Sequence, residues 1–223
     1  AFGIGGTNAH VVLAQSPVSI SPGTTESTSE LFLVSARTES GRDQLTNQLT
    51  AYPSTESARD TAFTLATGRH SFPSRAALWG NSLTTAKAIA RDHSPTARAA
   101  IFLFPGQGSQ TPGMSAALYN HDAVYRTAID KGAALLQPHL DGFDIRTLLL
   151  AAPDDATAAA ALTRTSLTQP ALFLVSHALA NRWLALGVEP TGMIGHSIGE
   201  WVAACLAGVF PLDQALRLVA LRG

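Results

Sequence analysis

The stretch "TGMIGHSIGEWVAACLAG", residues 191–208, constrains this chain more than any other. A short apolar run, a serine between two glycines and a longer apolar run follow without a break. Strand, sharp turn and helix is the reading that fits. Gly195 and Gly199 stand where such a strand and helix approach too closely for larger residues. Ser197 would sit on the turn, with the free N–H groups of the helix start aimed at it. The N–H of Ile198 is then the natural first donor to an oxyanion. The bare G-x-S-x-G pattern also arises in ordinary turns. The flanking strand and helix argue for a nucleophile.

A tetrahedral intermediate calls for a second donor. "FPGQGSQ", residues 104–110, offers one at the backbone of Gln107, after the apolar run Ile101–Phe104. Glycines beside Gln107 let that backbone come close to a ligand. Read alone, the loop is equally an ordinary tight turn. The proton acceptor is harder to find, because residues 198–223 contain no histidine. His196 adjoins the serine, so its ring is expected to point away and to orient the turn. The other six histidines show no metal-ligand spacing with a supporting carboxylate. They read as surface or core residues.

Two arginines close the sequence. On a helix starting at Leu212, Arg217 falls near 140° and Arg222 near 280°, at about 100° per residue. Arg217 then faces water. Arg222 lies at the border of the apolar stripe, where it either favours the helix C-terminus or turns its fork inward to hold a carboxylate.

Of 223 residues, 46% are hydrophobic and 14% charged, enough for one sizeable core or a medium domain with a smaller companion. The net charge of −1 and the lack of a basic stripe argue against nucleic acid as a partner. The single Cys205 excludes an internal disulfide and suits a cytoplasmic setting. No apolar run has the roughly 20 residues of a membrane span. The chain opens without methionine inside a glycine-rich motif and stops after a helical pattern, which reads as a piece of a longer polypeptide.

Along the chain, "AHVVL" at residues 9–13 suits a buried strand, fed by a glycine loop. Residues 15–30 are half Ser and Thr and read as a flexible linker. "LFLVS", 31–35, is a short buried-strand pattern. A helix from Thr38 to about Tyr52 carries Leu45 and Leu49 on one face, and Pro53 ends it. "SARDTAFTLATG" predicts a second helix with Ala62, Leu65 and Ala66 in a stripe and Gly68 as its stop. "RAALWG" predicts a strand, and "TTAKAIARD" a third helix. After the strand at 101–104, "DDATAAAAL" predicts a surface helix favoured by Asp154 and Asp155. "QPALFLVSHALANRWLALG" predicts a helix with Pro170 near its start and Gly187 at its end. Leu172, Val175, Leu179 and Trp183 would share one face. "PLDQALRLVALR" predicts a last helix with Leu212, Ala215, Leu216 and Val219 inward.

Taken together, "FPGQGSQ", "TQPALF", "GHSIGEWVAA" with "LAGV", and "LRLVALRG" resemble the malonyl-CoA:acyl carrier protein transacylase domain of modular type I polyketide synthases. "FGIGGTNAHVVL" resembles the C-terminal end of a β-ketoacyl synthase. "TGRHSFPSRAALWG" resembles the adaptor between the two. The resemblance implies four segments: a synthase tail at 1–14, the linker at 15–30, an adaptor at 31–95, and the N-terminal part of an acyltransferase at 99–223. It implies an α/β fold: a truncated hydrolase-like core with parallel strands, preceded by a small α/β subdomain.

The resemblance further implies that Ser197 carries the acyl group and that the amides of Gln107 and Ile198 form the oxyanion hole. Gln169 and His196 would line the pocket, and Arg222 would pair with a malonyl carboxylate. No metal or bound cofactor is implied. The substrate would be malonyl-CoA, and the acceptor the phosphopantetheine of an acyl carrier protein. A ketosynthase domain would share the polypeptide, and the parent would be a homodimer. The general base would be a histidine downstream of this chain, leaving the chain alone inactive. Ile198 and "TRTSLTQPALF" look like the malonyl-selective version more than the methylmalonyl one. Two other readings stay open: a serine esterase of the α/β-hydrolase type, and a non-catalytic scaffold piece.

Overall fold

The computed structural model describes residues 10–13, 29–52, 56–94 and 99–223. The chain divides into two compact units, 1–97 and 98–223. The linker expected at 15–30 falls almost wholly outside the described residues, as do the glycine loop before His10 and the helix stop at Pro53.

The first unit is a three-stranded antiparallel sheet with two helices. Its elements are β1 (Glu30–Ala36), α1 (Glu39–Ala51), α2 (Ala58–Thr67), β2 (Ser74–Gly80) and β3 (Lys87–His93), in sheet order β1-β2-β3. The helices start where short polar side chains can cap them. Thr38 accepts from the N–H of Gly41, and Ser57 from that of Asp60. Phe32, Val34, Leu78 and Leu83 form the buried core with Ala62 of α2, and Leu45, Leu49 and Leu65 pack around it.

Four expectations for this unit change. The segment 10–13 is not a strand: no described strand pairs with it, and Val11, Val12 and Leu13 are exposed. β1 is half-buried rather than buried, because it alternates; Leu31 and Leu33 face outward. Ala66 is exposed, so the α2 stripe is narrower than expected. Most of the predicted third helix is β3. Its alanines, Lys87 and Arg91 favour helix in isolation, but propensity is a weak prior against cross-strand pairing. Ser82, Thr84 and Thr85 form a hydroxyl-bonded turn that sends the chain back along β2, where Arg91 pairs with Ala76 and Ala90 with Ala77. As an exposed edge strand, β3 carries the charges that discourage further pairing.

The second unit has a two-stranded parallel sheet, β4 (Ala100–Phe104) and β5 (Pro190–Gly195). Between them run α3 (Ala116–His121), α4 (Ala123–Leu136), a 3-10 turn at Gln137–His139, α5 (Arg146–Leu149), α6 (Ala156–Ala161) and α7 (Thr165–Ala185). α8 (Ile198–Leu206) and α9 (Leu212–Arg222) follow β5. Asp122 starts α4 by accepting from the N–H of Tyr125, and it also pairs with Arg182 of α7. Asp155 caps α6 through the N–H groups of Thr157 and Ala158.

α7 is the spine of this unit. Leu167 to Leu174 are all buried, and α4, α8 and α9 pack around it. Over its middle, such a helix has no polar face to read, so the one-sided stripe expected from its sequence gives way to burial on most sides. Trp183, expected on the inward face, lies near the helix end and is 52% exposed. The helix also starts earlier than predicted. Pro170 is inside the helix, because Thr165 and Ser166 already form its first turn. A proline there has no N–H for the carbonyl of Ser166 four residues back. Gly187 and Gly208, at φ 79° and 77°, end α7 and α8 in the left-handed conformation their lack of a β-carbon allows. β4 was expected to be buried, yet Ile101 and Leu103, with Ile194 of β5, share an open face.

α4 and α7 touch most closely at Gly132. A β-carbon there would collide with the fully buried side chain of Leu174. Alanine gains about 1 kcal/mol of helix propensity over glycine. Overpacking a close-packed core costs about 1–3 kcal/mol. Gly132→Ala is therefore expected to lower the melting temperature. A raised melting temperature would refute the close contact.

Candidate active site

The turn between β5 and α8 is built on one peptide. The carbonyl of Phe104, the last residue of β4, accepts the N–H of His196 at 3.0 Å. Phe104 pairs in register with Gly195. A β-carbon on Gly199 would lie 2.8 Å from the carbonyl carbon of Phe104 and closer still to its oxygen. One on Gly195 would fall on the backbone of Gly199 and Glu200. Both flanking glycines are thus required by backbone, which cannot give way.

Ser197 caps α8 with φ 54° and ψ −113°, one of two described non-glycine residues with positive φ. Such a conformation costs about 1–3 kcal/mol and persists where the surroundings enforce it. Its side chain makes no capping bond. Gly199 and Glu200 donate to the carbonyls of His196 and Ser197 at 3.0 and 3.1 Å. The N–H of Ile198 has no hydrogen-bond partner among the described residues, although its side chain is buried.

The loop after β4 lies beside this turn. A β-carbon on Gly106 would fall on the ring of His196, 3.1 Å from Cε1. Gln107 follows, and its N–H is also unpartnered among the described residues. Its side-chain carbonyl accepts a long bond of 3.4 Å from Nε2 of Gln169, on α7. Gln169 is 5% exposed, and its own Oε1 is buried without a partner.

The far end of α9 returns to the start of α7. A β-carbon on Gly223 would lie 2.6 Å from Cα of Ser166, three residues before Gln169. Arg222 places its guanidinium 5.7 Å from the ring centre of Trp201 on α8. Trp201 is four residues after Ser197, one helical turn along. Three links are thus in place: Gly106 against His196, Gln107 with Gln169, and Arg222 with Trp201, while Gly223 meets Ser166. Trp201 and the Thr165–Ser166 turn are the neighbours that sequence reasoning missed. The four-residue spacing of Trp201 from Ser197 was the available signal.

Other predicted positions fall elsewhere. Arg217 is exposed. His177 stacks on Phe173 at 6.1 Å and receives Nδ2 of Asn181 at 3.1 Å. Burial, helped by the charge of Lys131, lowers its pKa to about 4. Burial, with the charge of Asp213, pushes the Cys205 thiol up. Among the described residues no cluster of ligands could hold a metal ion, and no helix is long and apolar enough to cross a membrane. Cavities of about 520 Å³ between α1, α2 and β1, and about 440 Å³ between β4 and α7, do not include Ser197.

The family model for the acyl transferase domain matches residues 101–223, over half of the chain. The chain belongs to the acyl transferase domain family. The ketoacyl-synthetase C-terminal extension matches residues 1–78. The PKS-NRPS hybrid synthetase acdB of Aspergillus candidus is 38% identical over 250 residues, covering all of this chain and 10% of that protein. Erythronolide synthase EryA3 of Saccharopolyspora erythraea is 35% identical over 241 residues, 99% of this chain and 7% of that protein. The chain thus spans about a tenth or less of the length of these relatives. Among solved structures, the acyl transferase domain of ZmaA superposes with a TM-score of 0.77 at 32% identity, covering 89% of this chain and 48% of that one. The acyl transferase domain of SpnD, in complex with 2-(pent-4-yn-1-yl)malonyl, gives 0.69 at 34% identity, covering 87% and 48%. These neighbours establish the α/β acyltransferase architecture, and the two matches in order along one chain are those of a polyketide synthase.

Two expected outcomes follow from the turn and from His177. Gly199→Ala would push a methyl into the Phe104 peptide and should cost more than about 3 kcal/mol, since backbone cannot relax as side chains do. Gly192→Ala, in β5, meets nothing within 4 Å and should leave the melting temperature nearly unchanged. Equal effects of the two would contradict the turn geometry. For His177, the folded pKa of about 4 lies below the unfolded value near 6.5. Between those values the unfolded chain binds the extra proton, so stability present above about pH 6.5 falls as pH drops toward 4. His177→Gln should flatten a denaturation midpoint series across that window.

Proposed function

We propose that this chain supplies the serine side of a polyketide synthase acyltransferase that moves a malonyl-type unit from coenzyme A to a carrier protein. The observation that carries the reading is Ser197, held at positive φ between β5 and α8, with the amides of Ile198 and of Gln107 in the loop after β4 unpartnered among the described residues. In the proposed reaction Ser197 Oγ attacks the thioester carbonyl and its proton passes to a base. The two amides meet the oxygen as it becomes negative, where fixed donors contribute most. The carbon–sulfur bond breaks, and coenzyme A leaves as the thiol with the proton returned. The phosphopantetheine thiol of an acyl carrier protein then attacks the seryl ester in the same way, freeing Ser197.

We assign the base to a histidine outside this chain. Residues 198–223 contain none, and the His196 ring packs on Gly106. Gln169 supports the wall of the pocket through Gln107. Arg222 selects the acyl group: its fork has no carboxylate partner among the described residues and can take one bidentately. The malonyl derivative bound by the SpnD domain is consistent with that class of substrate. A ketosynthase in the same polypeptide is proposed from the match at residues 1–78, and no bound cofactor is required.

Labelling with radioactive malonyl-CoA tests the reading. The intact synthase polypeptide should form an acyl-enzyme that Ser197→Ala abolishes, whereas the 223-residue chain alone should label little. Arg222→Ala in the intact polypeptide should reduce malonyl loading about 10- to 100-fold, as for loss of a charged hydrogen bond, and acetyl loading far less. Equal losses for both acyl groups would remove the carboxylate role. Carrier-independent hydrolysis of neutral esters would favour an esterase instead.

A further inference from the structure

We infer that Trp201 is a positioning residue for Arg222 and so helps set the preference for acyl groups bearing a free carboxylate; this rests on the carboxylate-binding reading of Arg222 proposed above. Arg222 is the last residue of α9. It makes no hydrogen bond or ion pair among the described residues. Its guanidinium carbon lies 5.7 Å from the centre of the Trp201 indole. That is within the range where a ring face attracts a cation, and tryptophan is the strongest such face.

The indole is itself held. It is half-buried, and it meets Phe210 at 5.9 Å with the planes tilted by 45°. Phe210 belongs to the short connection between α8 and α9, so the two helices and their link converge on this ring. Trp201 lies one helical turn from Ser197, close to the same face of α8. Arg222 is thus held against the helix that begins at the acyl-bearing serine. A malonyl group keeps its carboxylate a single methylene from the ester carbon, so its receptor must belong to the surroundings of that serine. A cation–ring contact uses the charge of the guanidinium rather than its N–H donors, which stay available to a carboxylate. A salt bridge to a protein acid would hold the arginine equally well but would occupy those donors. An aromatic ring is therefore the kind of support that fixes the cation without competing with the ligand.

The test is a graded series in the intact synthase polypeptide: Trp201→Phe and Trp201→Leu, with Arg222→Ala and the double variant Trp201→Leu/Arg222→Ala. Each is assayed for loading from malonyl-CoA and from acetyl-CoA. An exposed cation–ring contact corresponds to a change of about two- to fivefold. The malonyl-to-acetyl ratio of kcat/KM should fall in the order Trp, Phe, Leu, by about fivefold at leucine, mainly through a higher KM for malonyl-CoA. The double variant should show no further loss of the ratio beyond Arg222→Ala. If Trp201→Leu does not fold, Trp201→Phe decides alone, with an expected loss of about twofold. An unchanged ratio across the series, or equal losses for both substrates, overturns the positioning role while Arg222→Ala still shifts the ratio. If Arg222→Ala leaves the ratio unchanged, the carboxylate reading fails first and the inference falls with it.

Discussion

The peptide of Phe104 is the constraint on which the second unit depends. It ends β4, accepts the N–H of His196, and presses so closely on Gly199 that no side chain fits there. These contacts tie a strand, a turn and a helix start to one carbonyl. A serine at positive φ is expensive in a free chain. Here the register of β4 against β5 and the seating of α8 leave the backbone no easier path. The strain is held by packing around the turn rather than by a capping bond of the serine side chain.

A second level of support comes from α7. It is buried on nearly every side, so it cannot shift to follow a change at the site. Its first turn meets the end of α9 at Gly223, and its Gln169 reaches the loop that carries Gln107. The proline within that turn frees one carbonyl at Ser166 from helical bonding. The site therefore draws on two loops and two helix ends, all referred to one rigid rod. Rigidity of this kind is what a preorganised oxyanion site needs, since donors that must move into place lose much of their advantage.

How much of this could be read from the sequence follows from where the information lies. The strand–turn–helix at 190–206 was legible because glycine, serine and apolar period are all local signals. So were the Thr38 and Asp155 caps and the glycine ends of α7 and α8. β3 was not, because its alanines and basic residues carry a helix preference that only the neighbouring strand overrides. The start of α7 was misplaced because a proline is usually a boundary, and the turn before it is recognisable only once its neighbours are in place. Helices α3, α4 and α5 carry weaker local signals; α4 buries Tyr125 and Ile129 against a helix far away in sequence. Within the site, residue types were legible and adjacency was not. Nothing local shows that Arg222 stacks on Trp201 or that Gln169 touches Gln107.

That difference bears on how selectivity would arise in the proposed reaction. Arg222 is exposed, so its charge is hydrated and costs little while the site is empty. An acyl-CoA seated over Ser197 would strip part of that water away. A malonyl carboxylate replaces it with a bidentate pair, whereas an acetyl group leaves the fork uncovered and unpaired. Discrimination of this kind depends less on the strength of the ion pair than on how completely the bound substrate dries the guanidinium, and on how little the guanidinium can swing back to water. A side chain held against an indole has less freedom to make that retreat than one on a bare helix end. In that proposed reaction the two glycines at the turn and the aromatic ring on the same helix would act on opposite ends of one small substrate: the first on where the carbonyl reacts, the second on where the carboxylate lies.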